Sequence, residues 1–193
     1  MPDASVKTLR DLIWYQYAKI IARSAFKVGN GKAAKAEHYG FIKNTLRDLR
    51  SGVKKWSDIT REDWQLVDAE KKCAYCGSTA DLAHEHIVPK SLLINDRCPA
   101  CDTIQSIHNQ IWVCKSCNSA KGTTGLYAFF KSRMPDNGKF YDFIPPLLEK
   151  KYLKTVYDCL ICADCLNSGD LDGDGELTVL DIDYALKVHG HLG

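Results

Sequence analysis

Between Val6 and Phe26 the apolar residues Leu9, Ile13, Tyr17, Ile20 and Ile21 recur at three- and four-residue steps, the period of a helix with one buried face. Val28-Gly29-Asn30-Gly31 interrupts that period. A second helical pattern runs from about Lys32 to Arg50, with Ala34, His38, Phe41, Ile42, Leu46 and Leu49 on one side, and Ser51-Gly52 closes it. Thr60-x-x-Asp63 predicts the cap of a short third helix holding Trp64, Leu66 and Val67. Over residues 73–122 the periodicity gives way to Cys, His, Asn, Pro and Gly, with short β-like runs such as Gln110-Ile111-Trp112-Val113. Apolar and aromatic content returns over residues 123–158 in Leu126, Tyr127, Phe129, Phe130, Phe140 and Phe143, and Pro145-Pro146 precedes a helix expected from Leu147 to Tyr157. The pattern predicts an α+β protein with a helical front and a small strand-bearing centre.

The centre has too little apolar surface to fold on burial alone, and composition suggests what supplies the remainder. Among 193 residues there are nine cysteines, and they are grouped. Cys73/Cys76, Cys98/Cys101 and Cys114/Cys117 are C-x-x-C pairs, and Cys159, Cys162 and Cys165 form a C-x-x-C-x-x-C run. Two thiolates separated by two residues can reach one metal from a tight turn, so this spacing points to zinc. The N-terminus, Met1-Pro2-Asp3-Ala4-Ser5, lacks the basic-then-apolar pattern of a secretory signal, and no apolar run is long enough to span a membrane. A cytoplasmic protein without a membrane partner is the expectation, and a reducing compartment favours metal ligation over disulfides.

A near-neutral net charge of +2 conceals an asymmetry. Residues 1–66 carry 13 Lys and Arg against 7 Asp and Glu, whereas residues 159–193 carry 1 against 7. A polyanion at the front and a cation at the back are the partners such ends suit. On the second helix Lys32, Lys35, Tyr39, Lys43, Arg47 and Arg50 recur at helical steps. Taken alone such a stripe is an ordinary solvated face; beside a nucleic-acid site, Lys35, Lys43, Arg47 and Arg50 would add phosphate contacts.

Within residues 73–122 the order is Cys73-x2-Cys76, then Glu85-His86-Ile87-Val88-Pro89, then Asn109, then Cys114-x2-Cys117-Asn118-x2-Lys121-Gly122. This string resembles the HNH endonucleases, the ββα-metal nucleases that carry a four-cysteine zinc. Two departures stand out: Glu85 occupies a place where Asp is commoner, and the stretch from Pro89 to Asn109 is long and contains Cys98 and Cys101. The resemblance implies a structural zinc on Cys73, Cys76, Cys114 and Cys117. It implies a catalytic Mg²⁺ or Mn²⁺ on Glu85 and Asn118, whose hard oxygens suit such an ion. His86 would be the general base, Asn109 would orient the His86 ring or tie down the loop, and Lys121 would touch a phosphate. Glu85 and His86 are adjacent and in an extended strand would face opposite ways; in the family this is resolved at the bend where the strand ends. Cys98, Cys101, Cys159 and Cys162 would make a second four-thiolate zinc site, with Cys165 left over; the alternative is that these thiols are reduced and unligated.

Residues 170–181 read Asp-Leu-Asp-Gly-Asp-Gly-Glu-Leu-Thr-Val-Leu-Asp. The spacing matches an EF-hand-type loop, with Asp170, Asp172 and Asp174 at its first, third and fifth positions, Glu176 at the seventh through its carbonyl, and Asp181 at the twelfth. Asp in place of Glu at the last position is similar to the dockerin variant, present here in a single copy, and Leu180 to His189 would be its exiting helix. Ca²⁺ is the expected ion; a solvated acidic turn is the alternative.

Assembled, these expectations describe an α+β chain with a zinc-stapled ββα-metal nuclease module at 67–125. A basic helical region precedes it at 1–66, a helical and aromatic extension follows at 126–158, and a Cys-rich acidic segment with an EF-hand-like loop closes it at 159–193. The expected function is metal-dependent hydrolysis of DNA phosphodiesters, with double-stranded DNA as partner and a homodimer as one open arrangement. The rival expectation is a zinc-ribbon nucleic-acid-binding protein with no hydrolysis.

Overall fold

The computed structural model describes residues 3–26, 32–56, 70–92 and 104–189. The segment expected to form the third helix, and Cys98 and Cys101, lie outside the described residues. Among the described residues are seven α-helices and one two-stranded sheet: α1 (Leu9–Ala25), α2 (Lys32–Arg50), β1 (Leu82–His86), β2 (Gln110–Cys114), α3 (Lys115–Lys121), α4 (Leu126–Lys131), α5 (Phe140–Phe143), α6 (Pro146–Cys162) and α7 (Val179–His189). The chain is therefore α+β.

Thr8 caps α1, its side chain accepting from the Asp11 N–H at 3.2 Å. The next two N–H groups, of Leu9 and Arg10, donate to the carbonyls of Ser168 and Leu166 at 2.8 and 2.9 Å, so the acidic C-terminal segment completes the start of the first helix. Leu9, Leu12, Ile13, Tyr17 and Ile20 on α1 are buried against Ile42, Leu46 and Leu49 of α2 and Leu148, Tyr152, Leu153 and Val156 of α6. Each such side chain contributes on the order of 2 kcal/mol by leaving water. Helix α6 begins at Pro146, whose missing N–H costs nothing in the first turn. It outruns the expected Tyr157 end because Leu160, 1% exposed, continues the buried stripe.

Ile182, Ala185 and Leu186 bury α7 in the same interior, which also takes Ile87, Val88 and Ile104 from the centre and Leu126, Tyr127, Phe129 and Phe130 from α4. The front, the centre, the aromatic extension and the acidic segment thus share one apolar core. Asp183 locks α7 in place: its carboxylate accepts from the Ala128 N–H at 2.7 Å and from the Tyr152 hydroxyl. It stands so close to Gly125 that a Cβ there would lie 2.3 Å from the Asp183 Cγ. The described helices include none long and apolar enough to cross a membrane.

The strands pair antiparallel, with Leu82 opposite Cys114, Glu85 opposite Ile111 and His86 opposite Gln110. Two strands alone are marginal in water. This pair is buttressed by α3, which starts without a linker because Cys114 is at once the last residue of β2 and the cap of α3.

Candidate functional site

Cys73 and Cys76 sit on a turn before β1, and Cys114 and Cys117 straddle the β2–α3 junction. The turn closes through the Gly77 N–H to the Cys73 carbonyl at 2.8 Å, with Gly77 at φ 78°, a conformation that costs a residue with a Cβ. The Ala74 N–H donates to the Trp112 carbonyl at 2.9 Å, which moors the turn to β2. The four Sγ atoms all lie within 4.8 Å of one another, and those of Cys76 and Cys114 are 3.7 Å apart. Tetrahedral Zn²⁺ with Zn–S bonds of about 2.3 Å puts its sulfurs roughly 3.8 Å apart, so these four can hold a metal such as zinc. Val113, with Tyr75, Leu82 and Ile111, packs around the thiols. The Ser116 hydroxyl, 3.2 Å from Cys114 Sγ, pulls that thiol down to about 6. The Arg133 guanidinium donates to Cys117 Sγ at 3.4 Å. Spacing alone reveals the thiols but not Arg133, which arrives from the end of α4.

The pleat separates the two residues of the Glu-His pair. Glu85 is 6% exposed and turns toward α3, where Lys121 Nζ lies 2.9 Å from its Oε1. The charges touch without the alignment of a hydrogen bond, and Oε2 has no hydrogen-bond partner. Burial raises the Glu85 pKa, with Lys121 and the nearby Tyr75 opposing. Lys121 itself is 1% exposed, so its ammonium is turned inward rather than toward a phosphate at the surface. Asn118 stands three residues earlier on the same helix, at intermediate burial, and its carbonyl accepts from the Gly122 N–H at 3.0 Å.

On the other face of β1, His84 and His86 flank a residue with no signal in the sequence. The Gln110 amide lies 3.2 Å from His84 Nδ1 through Oε1 and 3.3 Å from His86 Nε2 through Nε2. His84 also stands edge-on to Trp112, with centroids 3.9 Å apart. Burial first, then Lys90 and His84, lower the His86 pKa, so its imidazole is neutral at pH 7. Asn109 is fully buried and takes the second of its two expected tasks. Its side chain accepts from the Val88 N–H at 2.9 Å and donates to the Val88 and Ile104 carbonyls at 2.8 Å, tying down the chain that leaves β1.

Much of the basic stripe is answered from within the chain. Lys43 pairs with Asp3 at 3.3 Å, and Tyr39 donates to the same carboxylate. Arg50 meets Asp11 at 2.8 Å and the Ser5 carbonyl at 2.6 Å. Arg47 stands 3.6 Å from Asp48, and Lys35 is exposed. These contacts clasp α2 to the N-terminal residues.

In the C-terminal loop the carboxylates of Asp170, Asp172 and Asp174 converge within 4.8 Å. Asp170 accepts from the Gly173 and Gly175 N–H groups at 2.8 and 2.7 Å, and the Glu176 N–H donates to Asp174 at 2.8 Å. Asp181, fully buried, accepts from Leu171 and Thr178 at 3.0 and 2.7 Å, closing the loop across its ends. Of the second cysteine set, Cys162 is disulfide-bonded, contrary to the expectation of a zinc-ligating or reduced thiol there, because a sulfur in a disulfide is no thiolate ligand; Cys159 is half-buried on α6.

Comparison of the chain with models of protein families, with curated proteins and with solved structures finds no match.

Proposed function

We propose that this chain is a zinc-stapled, metal-dependent endonuclease of the HNH type acting on DNA. One observation carries the reading: a β–β–α unit pinned at its base by four thiols sets the buried Glu85 carboxylate against the helix that bears Asn118. Glu85 Oε2 is an orphaned buried oxygen, which a divalent cation would satisfy, and Asn118 would be the second hard ligand. When bound, such a cation supplies Lewis-acid stabilisation of charge on the scissile phosphate. His86, neutral at pH 7, would take a proton from the attacking water once its ring is brought from the opposite face of β1, which runs through His86, to the side of Glu85. The water oxygen bonds to phosphorus, the P–O3′ bond breaks, and the departing 3′ oxygen takes a proton from solvent, leaving a 5′-phosphate and a 3′-hydroxyl. The Gln110 amide holds the ring from Nε2.

The contact between Lys121 and Glu85 favours a second reading. A carboxylate already neutralised by a buried ammonium needs no cation, as in a zinc-ribbon module that binds nucleic acid without cutting it. Incubation of the zinc-loaded protein with supercoiled plasmid and Mg²⁺ or Mn²⁺ separates the two. The nuclease yields nicked or linear DNA, and this is lost in His86→Ala and Asn118→Ala while binding persists. Folded protein that binds DNA and leaves it intact with either ion establishes the second reading.

A further inference from the structure

A cavity of about 250 Å³ opens between α1 and the corner joining α5 to α6, lined among others by Lys19, Arg23, Lys139, Tyr141 and Glu149. It lies apart from the thiol cluster, shares no residue with the Glu85 region, and touches the acidic loop only through Val179. Its lining carries three cations against one acid. Glu149 Oε1 accepts from the Tyr127 hydroxyl at 2.9 Å, and its carboxylate also attracts Lys19 and Arg23. Arg23 Nη1 is buried with no hydrogen-bond partner. Lys19 Nζ has a neutral one, Gln16 Oε1 at 3.0 Å. The Arg23 guanidinium and the Lys139 ammonium both stand 5.6 Å from the centre of the Tyr141 ring. Ile20, Phe140 and Val179 make the remaining wall apolar.

We propose that this cavity is a phosphate-binding site, with Arg23 and Lys139 clasping the anion at the mouth and Lys19 meeting it within. A dianion answers the excess of positive over negative side chains in the lining, and a guanidinium with an unanswered N–H suits paired oxyanion acceptors. The volume is that of about eight waters, room for a phosphate together with a small organic body. The apolar wall faces that body. A free phosphomonoester and the 5′-phosphorylated end of a nucleic acid share this chemistry.

Titration calorimetry with inorganic phosphate at low ionic strength tests the site in the full chain. Phosphate binds the wild type, and Arg23→Gln or Lys139→Gln weakens it about tenfold each, the loss of one charge-assisted contact. Glu149→Gln keeps an acceptor for Tyr127 and removes the negative charge, so it tightens binding. Lys187→Gln, on α7 away from the cavity, leaves binding unchanged. If Arg23→Gln melts below the assay temperature, Lys139→Gln, on an exposed corner, decides alone. Absence of binding at millimolar phosphate, or equal binding by wild type and Lys139→Gln, overturns the proposal. A 5′-phosphorylated dinucleotide that binds tighter than phosphate, and tighter than its unphosphorylated counterpart, assigns the site to nucleic-acid ends. A dinucleotide that binds no tighter than phosphate assigns it to free small phosphates. Either outcome stands or falls separately from cleavage, which the Glu85 region would perform.

Discussion

Lys121 Nζ lies 2.9 Å from Glu85 Oε1 with both side chains shut away from solvent, so a single ion pair joins α3 to β1 above the thiol cluster. Removing one partner strands the other. Lys121→Met should destabilise the fold by about 3–5 kcal/mol at neutral pH, and Glu85→Gln combined with Lys121→Met should recover most of that loss, as measured by urea unfolding. The sign with pH follows from burial. Glu85 in the single variant has a folded pKa raised above its unfolded value, so the protonated form is favoured on folding. The stability deficit should shrink in acid and grow as pH rises through the folded pKa. A deficit independent of pH would mean that Glu85 is not the stranded charge.

The thiol cluster should behave as a folding element. Cys73→Ser and Cys114→Ser should abolish bound zinc and unfold the β1–β2–α3 unit, and a strong chelator should reproduce the effect in the wild type. Arg133→Gln, which deletes the donor to Cys117 Sγ, should leave the fold intact and weaken zinc retention roughly tenfold, read by competition with a chromogenic chelator.

If His86 is the base of a nuclease, its environment sets the acidic limb of the rate profile. Burial, Lys90 and His84 lower its pKa from 6.5, so cleavage should persist below pH 6.5 and fall only as the ring protonates. Gln110→Ala should shift that limb while leaving zinc content unchanged. An activity loss in Gln110→Ala with an unmoved pH limb would assign the amide to packing alone.

Asp183 is pushed up to about 6, chiefly by burial, against an ordinary value of 3.8. Because the folded pKa is the higher, the folded state holds the proton more tightly. The stability this supplies is complete below the unfolded pKa and is lost as pH rises from about 4 to about 6. Asp183→Asn should flatten that slope in thermal melts, at the cost of a lower melting temperature because one of its two acceptor roles is gone. A variant that keeps the wild-type slope would place the titration elsewhere.

Calcium should raise the melting temperature of the wild type, and Asp170→Ala with Asp174→Ala should remove the increase without altering zinc content. Convergent carboxylates repel until a cation joins them. A calcium-dependent shift that survives in the variant would leave the loop an acidic turn.

How much of this could be read from the sequence varies by the kind of information involved. Helix α2 occupies Lys32–Arg50 as its period predicts, and α7 starts one residue from the expected Leu180, because one-face burial is a local pattern. The four thiols were legible from spacing since each pair lies within a turn. The second partner of a contact was not. Lys121 reads as a surface phosphate contact until β1 is laid against α3, and Gln110 is unmarked until the register sets it opposite His86. The stripe on α2 is legible as charge, yet nothing local says that Asp3 and Asp11 will answer Lys43 and Arg50. Thr8, the cap of α1, carries no mark in the apolar period, because a cap lies outside the buried stripe.

The seating of α7 has a practical corollary for anyone dividing this chain into parts. The C-terminal stretch, with its acidic composition, invites removal as a dispensable appendage. A truncation before Val179 would nevertheless withdraw Ile182, Ala185 and Leu186 from the interior. It would uncover the start of α4, where the Ala128 N–H would lose the carboxylate that accepts from it. Such a fragment should be recovered aggregated, and a shortened version that stays monodisperse would have to carry replacements for those three apolar residues and for Asp183.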